Sequence, residues 1–168
     1  CTVMARNGTD FGIQLSGMDG RWFTAPAPMV DGLFFAGYGP GDAAPDLGDS
    51  AITETAGLGG MSLAAAPAIV RFVGGTSSLA LETTRRMGAL SVGVHPEFSI
   101  PALDFQGSPT GIDARNVVDL NRPPVINTGI AHRLPGVGQI GAGITAAPLA
   151  CFEQAVAALA AVRYGDLS

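Results

Sequence analysis

Two runs of glycine interleaved with small polar residues limit what this chain can build. One is Gly48-Asp49-Ser50-Ala51-Ile52-Thr53-Glu54-Thr55-Ala56-Gly57-Leu58-Gly59-Gly60. The other is Pro124-Val125-Ile126-Asn127-Thr128-Gly129-Ile130-Ala131-His132, continuing into Pro135-Gly136-Val137-Gly138-Gln139-Ile140-Gly141-Ala142-Gly143. Glycine admits positive φ and close backbone approach, and Asp, Ser, Thr, Glu, Asn and His add donors and acceptors. Segments of this kind wall a binding site more readily than they fill a core. The 168 residues are 47% hydrophobic and 14% charged, enough for one sizeable core, so a single domain over 1–168 is expected.

The formal net charge of −5 and dispersed arginines offer no basic stripe, which argues against nucleic acid or an anionic membrane as partner. The longest nearly unbroken apolar stretch, Met61 to Val70, is about half a membrane span, so the chain reads as soluble and cytoplasmic. Lysine is absent, which removes Schiff-base chemistry and a phosphate-loop lysine from this segment. Cys1 and Cys151 make no disulfide framework, and Cys151 reads as a buried free thiol.

An α+β fold of mixed short strands is expected. Thr2–Arg6 and Asp10–Ser16 form an N-terminal hairpin around Asn7-Gly8, both of which tolerate positive φ. Arg21–Thr24 is a third strand, Met29–Phe35 is extended, and Gly37–Gly48 is a loop. Met61–Val73, apolar nearly all round, reads as a buried Ala/Gly-rich helix interrupted before its start by Gly57, Gly59 and Gly60. Thr76 or Ser77 caps a helix running to about Met87. Leu90–Val94 and Phe98–Leu103 flank a turn at His95-Pro96-Glu97, and Ala114–Val118 and Pro124–Thr128 are candidate strands. A C-terminal amphipathic helix opens at Pro148 and carries Leu149, Phe152, Val156, Leu159 and Ala160 on one stripe.

Asp49 and Glu54, near the start of a helix, either cap it or accept a proton from a substrate, with Ser50 and Thr53 as donors. Arg6, beside Asn7, either grips a carboxylate or faces solvent. His132, at a strand end, can polarise a carbonyl or neutralise an anion, and Asn127 can donate beside it. Gly136, Gly138 and Gly141 have dinucleotide-fingerprint spacing. Without a following helix and acidic residue, they suit an anion cradle of backbone N–H groups better, and no nucleotide cofactor is expected. Two histidines without acidic or cysteine neighbours at ligand spacing give no metal site.

Met4-Ala5-Arg6-Asn7-Gly8, Trp22-Phe23-Thr24, Gly48 to Thr55, Val73-Gly74-Gly75-Thr76, Pro124 to Thr128, Ile130-Ala131-His132, Gly136-Val137-Gly138 and Cys151-Phe152-Glu153 together resemble a YlbE/YahG-like bacterial family. That family is catalogued as a domain of unknown function and is associated with FdrA-type proteins. The resemblance spans the chain in order and implies the C-terminal part of a longer protein. It further implies a subunit of an oxamate carbamoyltransferase-type complex in allantoin breakdown, exchanging a carbamoyl group between oxalurate and phosphate. Partners implied are a small anionic substrate and an FdrA-type subunit; a homo-oligomer is compatible with both. The alternative is a non-catalytic module that docks that subunit.

Overall fold

The computed structural model describes residues 1–66, 70–71 and 75–165. The N-terminal hairpin forms as expected, with β1 (Val3–Asn7) antiparallel to β2 (Asp10–Gln14). Its turn is held differently from the sequence reading. Only Gly8 takes positive φ, at 84°, while the Asn7 Oδ1 accepts from the backbone N–H groups of Thr9 and Asp10 at 2.9 and 2.7 Å. Asn7 therefore fastens the turn with its side chain. β3 (Phe23–Pro26) and β5 (Leu47–Gly48) complete an antiparallel sheet in the order β3-β2-β1-β5.

A second sheet runs β4-β9-β8, from Asp31–Phe34, Gln139–Ala146 and Val125–Ala131. A two-stranded ribbon pairs β6 (Ser91–Ile100) with β7 (Gln106–Ile112). Four α-helices lie among the described residues: α1 (Ile52–Thr55), α2 (Ser77–Gly88), α3 (Ala114–Asp119) and α4 (Leu149–Gly165). The fold is α+β, as the mixed short elements indicate. No described helix is long and apolar enough to cross a membrane.

The main core lies between the inner face of the first sheet and α4. Met4, Phe11, Ile13 and Phe23 pack there against Cys151, Phe152 and Ala155. Leu149, Val156 and Leu159 pad its rim, while Ala160 is exposed. Burial pushes the Cys151 thiol up to about 11, so it is an inert thiol at neutral pH.

Three expectations change. Ala114–Asp119 is a helix, because Asp113 caps it by accepting from the Arg115 N–H at 2.9 Å, and this local bond overrides the strand preference of Val117-Val118. The segment from Met61 is helical and buried at Met61 and Leu63 but exposed at Ala65, and Gly59–Ala65 is 3₁₀ with a kink at Ser62; residues 67–69 and 72–73 of the expected helix lie outside the described residues. At His95-Pro96-Glu97 strand β6 continues with a bulge, where the His95 Nδ1 accepts from the N–H groups of Glu97 and Phe98.

Candidate functional site

Strand alternation decides what the first sheet turns inward. Met4 and Arg6 share a face of β1, so Arg6 lies where the pattern calls for an apolar side chain and is 5% exposed. It does not face solvent on the hairpin. Its Nε lies 3.1 Å from the Asp46 Oδ1, and its Nη2 donates to the Thr128 Oγ1 at 2.6 Å and the Ser50 Oγ at 3.2 Å. Thr128 also donates to the Asp46 Oδ1 at 3.3 Å. Thr128 belongs to β8, so this cluster joins the two sheets. Burial raises the Asp46 carboxyl above its ordinary range even though the Arg6 charge opposes it.

Three polar atoms in this pair are buried without a hydrogen-bond partner among the described residues: the Arg6 Nη1, the Asp46 Oδ2 and the Arg6 Nε, the last of which keeps only its ion-pair contact with the Asp46 Oδ1. A buried donor left unpaired costs about 1–3 kcal/mol, so such atoms mark a functional or hydrated position. Ser50 and Asp49 are exposed immediately above, so the floor of the cluster is buried and its rim meets solvent. Asp49 does not cap α1 with its side chain; the residue ahead of the helix is Ala51, which has no capping bond.

Glu54 is 1% exposed. Its Oε1 accepts from the Gly60 N–H at 2.9 Å and the Asn127 N–H at 3.1 Å, filling an unpaired edge of β8. Burial pushes the carboxyl from 4.5 up to about 7, against the N–H bonds and the Arg6 charge. Its Oε2 is 3.4 Å from the Thr53 Oγ1, whose one hydrogen is already engaged at 2.7 Å with the Ser50 carbonyl. A proton on the Oε2 resolves that contact, because it then donates to Thr53, which passes the polarity on towards Ser50. The row from Glu54 through the Thr53 hydroxyl ends on the Ser50 main-chain carbonyl, which holds the Thr53 hydroxyl in place and carries no proton of its own.

Close packing sets this carboxyl's position. A Cβ on Gly59, which has φ of 59°, would fall 2.1 Å from the Glu54 Oε1, and one on Gly60 would fall 1.9 Å from the Val125 carbonyl oxygen. Gly60→Ala is expected to destabilise by about 3 kcal/mol, since the methyl meets backbone and also displaces a donor to Glu54. Urea unfolding of the variant checks this; a midpoint equal to wild type would contradict the packing described.

The two glycine-bearing runs therefore converge only in part. Ser50, Thr53 and Glu54 meet Arg6 and the backbone of Asn127. His132 lies five residues further along the β8 direction, roughly 16 Å at strand rise. Its Nδ1 accepts from the Leu134 N–H at 2.9 Å, and its ring stands edge-on to Tyr38. Gly136 and Gly138 occupy an exposed turn with open space around them. Gly141 lies within β9, where a Cβ would come 2.4 Å from the Leu33 carbonyl oxygen, so the cradle read across Gly136–Gly143 is half strand. Asn7 points to the sheet face opposite Arg6. Sequence reading missed Asp46 and Thr128. Thr128 was accessible from its two-residue spacing after Ile126, whereas Asp46 depends on a long-range approach. No group of three or more His, Cys, Asp or Glu placed to hold a metal ion occurs among the described residues.

A family model described as "Oxamate carbamoyltransferase subunit AllG" matches residues 1–50, a stretch that contains Arg6, Asp46 and Ser50. The chain is 53% identical over 155 residues to "Uncharacterized protein YahG" of Escherichia coli (strain K12), covering 92% of this chain and 33% of that protein. It is 52% identical over 160 residues to "Oxamate carbamoyltransferase subunit AllG" of the same organism, covering 95% and 38%. A crystal structure titled as a conserved protein of unknown function from Enterococcus faecalis V583 superposes with a TM-score of 0.92 at 52% identity, over 95% of this chain and 38% of that one. The chain thus spans between a third and two fifths of the length of the relatives it matches, and along that span it is similar in sequence to YahG and AllG and in fold to the Enterococcus faecalis protein.

Proposed function

We propose that this chain is the C-terminal, substrate-facing part of a longer cytoplasmic subunit in an oxamate carbamoyltransferase-type complex. The observation that carries the reading is a buried carboxyl with a pKa of about 7 beside a buried arginine with an unpaired donor, in a chain 52% identical to a relative named as such a subunit. In the proposed reaction, phosphate oxygen attacks the carbamoyl carbon of oxalurate. The carbon–nitrogen bond breaks, and the departing oxamate nitrogen takes a proton, giving carbamoyl phosphate. Neutral Glu54 passes its proton to the Thr53 hydroxyl, which turns from the Ser50 carbonyl and delivers its own proton to the departing nitrogen; in reverse, a proton from the attacking nitrogen returns through Thr53 to the carboxylate. A pKa near neutrality serves both directions.

In this reading Ser50 and Thr53 orient the substrate at the rim, the buried Arg6 holds the Ser50 hydroxyl from below, Asp49 adds polarity there, and the Asn127 N–H holds Glu54. The remaining machinery, including an FdrA-type partner, comes from outside this segment.

Reconstitution of the full-length protein with its partners, assaying phosphate-dependent oxamate release with each component omitted, tests this. Turnover undiminished without this protein would remove it from the reaction. A docking role without chemistry is favoured by the ribbon, where Val92, Val94 and Phe105 are exposed at 71%, 63% and 70%. Loss of assembly with Glu54→Gln kinetically silent would select that role.

A further inference from the structure

The outer face of the first sheet carries a second feature, separate from the Glu54 cluster. Ala5 and Gly12 form a small-residue floor, paired directly across β1 and β2. Trp22, Asn7, Asp10 and Thr24 stand around it, with Arg6 also in the lining, and border an open pocket of about 260 Å³. Trp22 is the chain's single tryptophan and is 47% exposed. Its six-membered ring lies against Gly12, where a Cβ would come 2.9 Å from the Cε3. The ring is therefore fixed on the sheet by the absence of a side chain beneath it.

The polar atoms here are unspent. Asn7 uses its Oδ1 in the turn, and its amide N–H groups have no partner among the described residues. Asp10 is exposed, and its carboxylate meets no described cation or donor. Arg21, next to Trp22 in the chain, sits over Phe23 instead, at 5.0 Å. A fixed aromatic surface beside an unpaired carboxylate, on a chain of net charge −5, is complementary to a planar cation.

We propose that this tray binds a guanidinium group, which stacks on Trp22 and donates both N–H groups of its fork to Asp10. A guanidinium fits better than an ammonium because it is flat, weakly hydrated and bidentate. The group belongs either to a free small molecule or to an arginine side chain, and the chemistry of recognition is the same.

Trp22 is its own reporter. Its fluorescence in the 168-residue chain is titrated at constant ionic strength with ethylguanidinium chloride, with ethylammonium chloride, and with the blocked peptide acetyl-Gly-Arg-Gly-amide. A saturable change with half-saturation on the order of 1–10 mM is expected for the two guanidinium ligands. Ethylammonium should bind at least fivefold more weakly, and Asp10→Asn should weaken guanidinium binding at least tenfold. Tighter binding of the peptide identifies an arginine side chain as the occupant, and tighter binding of ethylguanidinium identifies a free molecule. A linear, unsaturating change that is the same in Asp10→Asn overturns the proposal. Arg6 lends this pocket no free charge, since its guanidinium is spent on Asp46, Ser50 and Thr128 on the inner face, so this outcome is independent of the Glu54 chemistry.

Discussion

Glu54→Gln flattens the pH dependence of stability between about 4.5 and 7 and, in the assembled enzyme, lowers turnover by roughly 100-fold or more. The stability effect follows from proton linkage. The folded carboxyl titrates at about 7 and the free one at 4.5, so in that window the folded state holds a proton that the unfolded state has released. Stability is fully present below 4.5 and falls as pH rises through 7, by about 3 kcal/mol in all. Glutamine cannot titrate. Its carbonyl oxygen still accepts from Gly60 and Asn127, and its amide still donates to Thr53, so the fold keeps its clasp. Urea midpoints at pH 5, 6, 7 and 8 read this directly. The variant should match wild type near pH 5 and exceed it at pH 8, and parallel slopes in the two proteins would show that Glu54 is not the titrating group. The kinetic effect separates from the structural one because a variant more stable at pH 8 yet slower there has lost chemistry.

Sequence reading and structure agree where the signal is local. The Asn7-Gly8 hairpin, the Thr76 cap with its bond from the Leu79 N–H, and the C-terminal helix each depend on residues within a few positions of one another. The α3 segment shows the limit of propensity, since two adjacent valines favour a strand but one aspartate ahead of them supplies a cap. The candidate site was half legible. Glu54 and Ser50 stand out as polar groups in a glycine-bearing run, and the inward position of Arg6 follows from its two-residue spacing after Met4. What no local pattern conveys is that Asp46, at the end of the Pro-rich loop, approaches Arg6 across the sheet edge, or that β8 leaves an unpaired edge for Glu54 to fill. Those are consequences of how two sheets meet. His132 stands apart from this cluster: proximity along the chain to a glycine-rich loop marks a strand end, and its Nδ1 accepts from the Leu134 N–H of that turn.

The second large effect concerns Arg6 and separates a structural ion pair from a functional one. Arg6→Ala leaves the Asp46 carboxylate buried without its counter-charge and removes the donor to Thr128 and Ser50, so a loss of about 3–5 kcal/mol is expected. Arg6→Met combined with Asp46→Leu removes both charges and refills the space with apolar volume, so stability should return to within about 1 kcal/mol of wild type. Were the pair there only to hold the sheets together, this double variant would also regain function. The unpaired Nη1 marks a functional or hydrated position, and the double variant tells the two apart. The expected result is a stable double variant whose reconstituted complex turns over at least roughly 100-fold more slowly than wild type, beyond what stability explains. Denaturant midpoints and kcat/KM measured on the same preparations decide between the two roles, and a double variant with wild-type turnover would reduce Arg6 to a brace.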